Sequence, residues 1–310
     1  MSKQTSVYIE QNSSINDFDT SDSWTLLSPL EQSIKRKIES KGVPLKDWDI
    51  NIYRGILTGF NEAFVISGAK KDELIAEDPK SAEIIRPILR GKDIKRYKAT
   101  FADLWLIYVP WHFPLENDTS IVGPSDDAEK LFQEQYPAIY KHLLSYKDDL
   151  SKRNKAETGI RYEWYALQRW GANYRDDFSR QKIIFQEMVQ EPAFYLDKNT
   201  HYYCLDTGRI ITGDHLPYLL ALMNSKLFFY AIKKFYGGGG LGSSGVRMKH
   251  TFFEKFNAVL PAPDEENIFS ETEDITDEEI RERDLFFYNV YDLSEEEVNL
   301  IENDLSYQAL

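Results

Sequence analysis

The chain has 310 residues, 42% of them hydrophobic and 14% aromatic, enough to build a sizeable core and to exclude a disordered chain. Its single cysteine, Cys204, excludes an intrachain disulfide, so a reducing cytoplasm is the expected compartment; no run approaches the ~20 apolar residues of a bilayer span, and no apolar signal core opens the chain. The net charge of −14 argues against a polyanion partner until its placement is read: residues 264–304 hold seventeen acids against Arg281 and Arg283, and the remainder is close to neutral.

Residues 1–45 read as a connector and a helix. After a Ser-, Asn- and Asp-rich lead, Leu26, Leu27, Leu30, Ile34 and Ile38 keep helical spacing. Ser28 offers an N-cap, Pro29 suits the first turn, Glu31 completes a capping box and Gly42 ends the helix. Residues 46–265 are the expected main domain. Within it, Ile50–Leu57 and Ala63–Ser67 read as strands around turns at Gly55 and Gly59, followed by helices near Lys70–Ala76 and Ser81–Leu89. Leu104–Val109 is a strand, and Asp126–Leu150 is a helical stretch broken at Pro137. Lys182–Phe185, Phe194–Leu196 and Tyr202–Leu205 read as strands, Leu216–Tyr236 as the longest helix, and Phe253–Pro261 as strand again. Residues 266–310 form an acidic tail with two short helices, the second capped by Ser294. The irregular mixture predicts an α+β fold: a mixed, largely antiparallel sheet with packed helices and an acidic helical C-terminal segment.

Little here points to chemistry. The five scattered histidines make no metal-ligand spacing. Gly-x-Gly-x-x-Gly occurs at Gly237 and again at Gly240, yet the run follows a helix and precedes extended chain, the reverse of a dinucleotide site. It is either a linker or a loop whose backbone approaches a ligand closely, with Lys233, Lys234, Arg247 and Lys249 around it. The nuclease-like triplets Asp93-Ile94-Lys95 and Glu39-Ser40-Lys41 lack a supporting carboxylate on a strand pair.

Several groups suit a nucleic acid better than a reaction. Arg90, Lys92 and Arg96 sit in a dense basic block that is either a solvated turn or a phosphate clamp, with Asp93 orienting a base or capping the turn. Thr58, Gly59 and Asn61 form a turn whose Asn side chain has the donor and acceptor to read adenine. Arg169 lies among aromatics, of which Trp164 and Trp170 are read as core. Gln186 and Glu187, at a strand end, suit adenine and cytosine. Tyr236, Gly240, Gly242, Arg247 and Lys249 suit a base and a phosphate backbone.

The ordered set Trp48, Tyr53–Phe64, Ile85–Tyr97, Gln186-Glu187 and the glycine cluster from Gly240 to Arg247 resembles the specificity domain of the Taq-like family, across roughly Trp24 to Pro263. That domain chooses the DNA sequence in type IIG restriction enzymes and related N6-adenine methyltransferases. The resemblance implies double-stranded DNA as partner, together with a methyltransferase or nuclease domain in cis or as a separate subunit. It places S-adenosylmethionine and Mg²⁺ on those other domains, since the methyl-transfer motif Asn/Asp-Pro-Pro-Tyr/Phe is absent from this sequence. Two alternatives stay open: a protein-interaction module acting through the acidic tail, and a compact nuclease.

Overall fold

The computed structural model describes residues 27–239 and 245–306. Helix α1 (Pro29–Glu39) starts at Ser28, whose hydroxyl and the Glu31 carboxylate form the expected reciprocal cap. Strands β1 (Val43–Pro44) and β2 (Ile50–Arg54) follow, then α2 (Asn61–Phe64), β3 (Val65–Ser67) and α3 (Gly68–Glu77). Next come β4 (Ile85–Leu89), β5 (Ile94–Lys95), β6 (Lys98–Ala99), β7 (Leu104–Ile107), α4 (Asp126–Gln135), α5 (Pro137–Leu144) and α6 (Lys147–Ser151). The second half holds β8 (Lys182–Gln186), β9 (Met188–Val189), β10 (Phe194–Asp197), β11 (Tyr203–Cys204) and β12 (Gly208–Gly213). It ends with α7 (Leu216–Met223), α8 (Lys226–Lys234), β13 (Val246–Arg247), α9 (His250–Phe253), β14 (Asn257–Ala258), α10 (Pro263–Ile268), α11 (Asp277–Val290) and α12 (Glu295–Ser306).

The fold is α+β with mainly antiparallel sheets. One four-stranded sheet runs β10-β8-β12-β2, antiparallel throughout; the other runs β11-β4-β7-β3, with β11 parallel to β4. The first sheet is covered on both faces. Ile183, Phe185 and Ile211 enter a core with α1, α7, α8 and the tail, whereas Ile184 and Ile210 enter a second core with the other sheet. Period-2 alternation splits the apolar run of β8 between the two cores.

Several expected elements differ. The strand expected over Ile50–Leu57 ends at Arg54, and that over Ala63–Ser67 begins only at Val65, after helical residues. Three others depart further. Ser81–Leu89 is not a helix: a 3-10 turn over Pro79–Ile84 leads into β4. Pro87 disfavours the α conformation at Arg86, and the β-branched Ile84, Ile85 and Ile88 favour the pleated surface. The helix expected over Leu216–Tyr236 is broken at Asn224 and Ser225. The Asn224 amide accepts from Phe194 N–H at 3.1 Å and donates to Phe194 C=O at 2.9 Å, satisfying the backbone of edge strand β10, while the Ser225 hydroxyl caps α8. Most of Phe253–Pro261 is not strand; β14 alone pairs, with β1.

The tail packs on its own body. Phe287, Tyr288, Tyr291 and Ile301 are buried in the first core, with Phe286, Val290 and Leu293 against it. Its acids hold lysines of the body: Lys37 meets Glu297 at 2.6 Å, Lys41 meets Asp292 at 2.5 Å, and Asp304 meets Lys233 at 2.7 Å and Lys234 at 2.9 Å. Burial pushes the Glu297 and Asp304 carboxyls up, but hydrogen bonds from these lysines bring both to a net position below the usual range. Asp284, deeper in α11, is raised by burial despite Arg96 beside it.

Two outcomes test this packing. The Lys182 ammonium and the Asp197 carboxylate are fully buried and 2.7 Å apart, and Asp197 also accepts from the N–H groups of Thr200, His201 and Tyr202. Burial pulls the Lys182 ammonium below its ordinary range. Asp197→Ala strands that charge and is expected to lower unfolding free energy by about 3–5 kcal/mol, read from urea denaturation. A loss under ~1 kcal/mol would show that water reaches the pair. The depressed Glu297 and Asp304 carboxyls contribute stability that is fully present above the ordinary carboxylate range and is lost as pH falls through their lower folded values. The urea midpoint should therefore drop between about pH 5 and pH 3, and drop less in Glu297→Gln. Equal pH slopes in the two proteins would remove Glu297 from the account.

Candidate nucleic-acid interface at the sheet ends

One crossing organises the site. Gly55 passes so close to Leu205 that a Cβ on it would lie 2.1 Å from the Leu205 carbonyl oxygen. The chain beyond β2 then bridges the second half twice, Ile56 beside Leu205 and Leu57 beside Arg169. Parallel pairing of β11 with β4 carries Leu205 alongside Arg90, and β12 starts with Gly208 opposite Gln186. Glu187 N–H donates to Thr207 C=O at 3.3 Å, and Met248 N–H to Glu187 C=O at 2.7 Å. The ends of β2, β4, β8, β11, β12 and β13 therefore share one edge.

Most of the sequence-predicted residues lie on that edge. Gln186 rests over Gly91, where an added Cβ would stand 2.1 Å from the side-chain amide carbon. The Glu187 carboxylate is held by Arg209 at 2.9 Å through one oxygen. Arg90 forks onto both oxygens of Asp93, with N–H···O distances of 2.9 and 2.8 Å. Burial raises the Asp93 carboxyl, but the Arg90 hydrogen bonds outweigh it and leave the group below its usual range. Lys92 and Arg247 are exposed, with no carboxylate partner among the described residues. Lys249 stands at the residue before α9 without capping it, its ammonium 6.0 Å from the Phe252 ring centre.

At the other end of the edge, the buried Thr58 hydroxyl donates to the Asn61 amide oxygen at 2.6 Å. Gly59 has φ +76 and lies against Gln168 and Arg153. Arg169 donates to Glu157 at 2.8 Å and lies 5.9 Å from the Trp111 ring. Trp164 is buried and Trp170 partly so, both in the second core as expected.

Two residues are not on the edge. Arg96 is paired with both oxygens of Asp284 in α11 at 3.1 Å, its side chain 20% exposed, so the tail occupies it. Tyr236 is buried against Phe235 and Phe256. Lys233 and Lys234, expected near a phosphate, are likewise held by Asp304. Gly240 and Gly242 lie outside the described residues.

Other residues of the edge escaped the sequence reading. Arg54 stands at the end of β2, its side chain 55% exposed and 3.5 Å from Asp206. Arg209 orients Glu187 from the neighbouring strand, which alternation could have suggested once the pairing was known. Arg153 donates to the carbonyls of Leu150, Thr58, Trp164 and Ala166, fastening the Thr58 turn to the Trp164–Ala166 stretch. Burial pushes its guanidinium down to about 10. Nothing in the basic run around it distinguishes Arg153 by sequence. The described residues contain no group of three His, Cys, Asp or Glu able to hold a metal, and none of their helices is long and apolar enough to cross a membrane.

No family model matches the chain. Over 217 residues it is 24% identical to the type II methyltransferase M.MjaIV of Methanocaldococcus jannaschii, covering 67% of this chain and 63% of that protein. Its fold is similar to part of the type IIL restriction-modification enzyme MmeI, solved in complex with DNA, with a TM-score of 0.53 and 11% identity over 94% of this chain and 38% of MmeI. The type IIG restriction endonuclease BpuSI gives a TM-score of 0.46 at 14% identity, over 89% of this chain and 32% of that one. The chain thus spans less than two thirds of the length of each of these proteins. Its similarities are to proteins of restriction-modification systems.

Proposed function

We propose that this chain is the DNA target-recognition part of a restriction-modification system, with no catalytic centre of its own. Methyl transfer to adenine, with its S-adenosylmethionine, and any Mg²⁺-dependent cleavage belong on this reading to other domains in cis or to a separate subunit. The observation that carries it is the convergence of Asn61, Lys92, Arg169, Gln186, Glu187 and Arg247 on one edge from distant stretches of sequence. The sequence similarity to a type II methyltransferase and the fold shared with part of a restriction-modification enzyme support it.

The roles follow from the chemistry. Lys92, Arg247 and Lys249 would contact phosphates on this reading, with the exposed Arg54 as a further candidate. The Gln186 amide suits adenine, and the Glu187 oxygen left free by Arg209 can accept from the cytosine amino group. Asn61 offers a second adenine reader, and Arg169 a guanine contact. Docking of a protein partner on the tail draws less support, because α1, α7 and α8 already cover its apolar side.

Selection from random duplexes with the full chain tests the reading, and failure to enrich any sequence would overturn it. On the enriched duplex, Arg247→Ala should flatten the slope of log affinity against log salt by about one unit. An unchanged slope would take Arg247 out of the phosphate set. Gly91→Ala should push the Gln186 amide aside while changing stability by no more than about 0.5 kcal/mol, because a side-chain end can swing away. It should still relax the preference at one base pair by ~1–3 kcal/mol, as Gln186→Ala should too. Retained selectivity in Gly91→Ala would show that Gln186 does not read from this position.

A further inference from the structure

Strands β9 and β13 make a two-stranded ribbon with unlike faces. Val189 pairs with Val246, and both pack inward on the first core, Val246 only 1% exposed. Met188 pairs with Arg247. Residues opposite one another in an antiparallel ladder share a face, and alternation turns this pair outward. Met188 is 43% exposed and Arg247 is exposed beside it.

The ribbon is held firmly on both sides. Met248 N–H donates to Glu187 C=O, and Arg247 N–H to Gly238 C=O, each at 2.7 Å. A single exposed apolar side chain is ordinary on a protein surface. What distinguishes Met188 is its position: it directly follows Gln186 and Glu187, and it lies across from an arginine with no carboxylate partner among the described residues.

Resting on the recognition role proposed above, we infer that the β9–β13 ribbon enters the major groove of the recognised duplex and that Met188 packs on a thymine methyl group there. A two-stranded ribbon fits that groove, and thymine alone among the four bases presents a methyl in it. The unbranched thioether adapts its shape to such a contact more readily than a branched side chain would. Arg247, on the same face, holds the adjacent phosphate and draws the ribbon in by charge. Met188 is thus a specificity-determining residue for the base pair next to the one that Gln186 or Glu187 reads.

The experiment uses the full chain and the duplex enriched from random sequences, resynthesised with deoxyuridine replacing each thymine in turn. That change removes one methyl and leaves every hydrogen-bonding group in place. One position is expected to weaken wild-type binding by about fourfold, the worth of one buried methyl group. Met188→Ala should bind the thymine and uracil duplexes equally, and Met188→Leu should recover the difference. The inference is overturned if no thymine methyl matters to the wild type, or if the same methyl still matters to Met188→Ala. Failure to enrich any duplex sinks the recognition role itself; a duplex enriched without a Met188-dependent methyl effect sinks the ribbon alone.

Discussion

Everything at the sheet ends depends on how closely the backbone at Gly55 passes the carbonyls of Cys204 and Leu205. A side chain there would stand 2.6 Å from the first oxygen and 2.1 Å from the second, so only a residue without Cβ permits the crossing. The approach links the end of the β10-β8-β12-β2 sheet to β11 and, through β11, to β4. The bridges just beyond it, Ile56 beside Leu205 and Leu57 beside Arg169, bring the stretch leading to Asn61 against the second half of the chain. Gly91 repeats the device on a smaller scale, with a side chain rather than backbone filling the vacated space.

The rest of the architecture keeps that edge rigid. A sheet buried on both faces cannot tilt toward either core without opening a void, and packed interiors resist voids strongly. Side chains carried on the ends of its strands inherit that stiffness, which would suit the recognition role proposed above better than mobile loops would. The charges on the edge are partly pre-spent on one another. Arg90 is committed to Asp93, Arg209 to Glu187, and Arg169 to Glu157. Such pairs fix the orientation of planar groups and leave few cations at liberty to meet an anion.

Local signals were legible in the sequence and distant partners were not. The Ser28–Glu31 cap, the break at Pro137 and the strand at Lys182–Phe185 rest on neighbouring residues, and all three are present. The split after Met223 was invisible because Asn224 is satisfied by the backbone of Phe194, thirty residues earlier. Arg96 read as a free cation because its partner, Asp284, lies 188 residues further on in the chain. A charge run discloses how many bases a segment has, never which of them an acid elsewhere already holds. Gln186 and Glu187 could be singled out because the end of an apolar strand is a local feature, whereas Arg209 and Met188 acquire meaning only from the strands beside them.

The acidic tail bears on how truncated forms would behave. Lys226, Lys233 and Lys234, all on α8, each hold a carboxylate of α12, as Lys37 on α1 does. A shortened protein ending before Glu295 would uncover this cationic ridge and gain attraction for any polyanion, heparin included, irrespective of sequence. Tighter DNA retention by such a fragment would therefore report lost neutralisation on the flank, and would carry no information about the sheet ends.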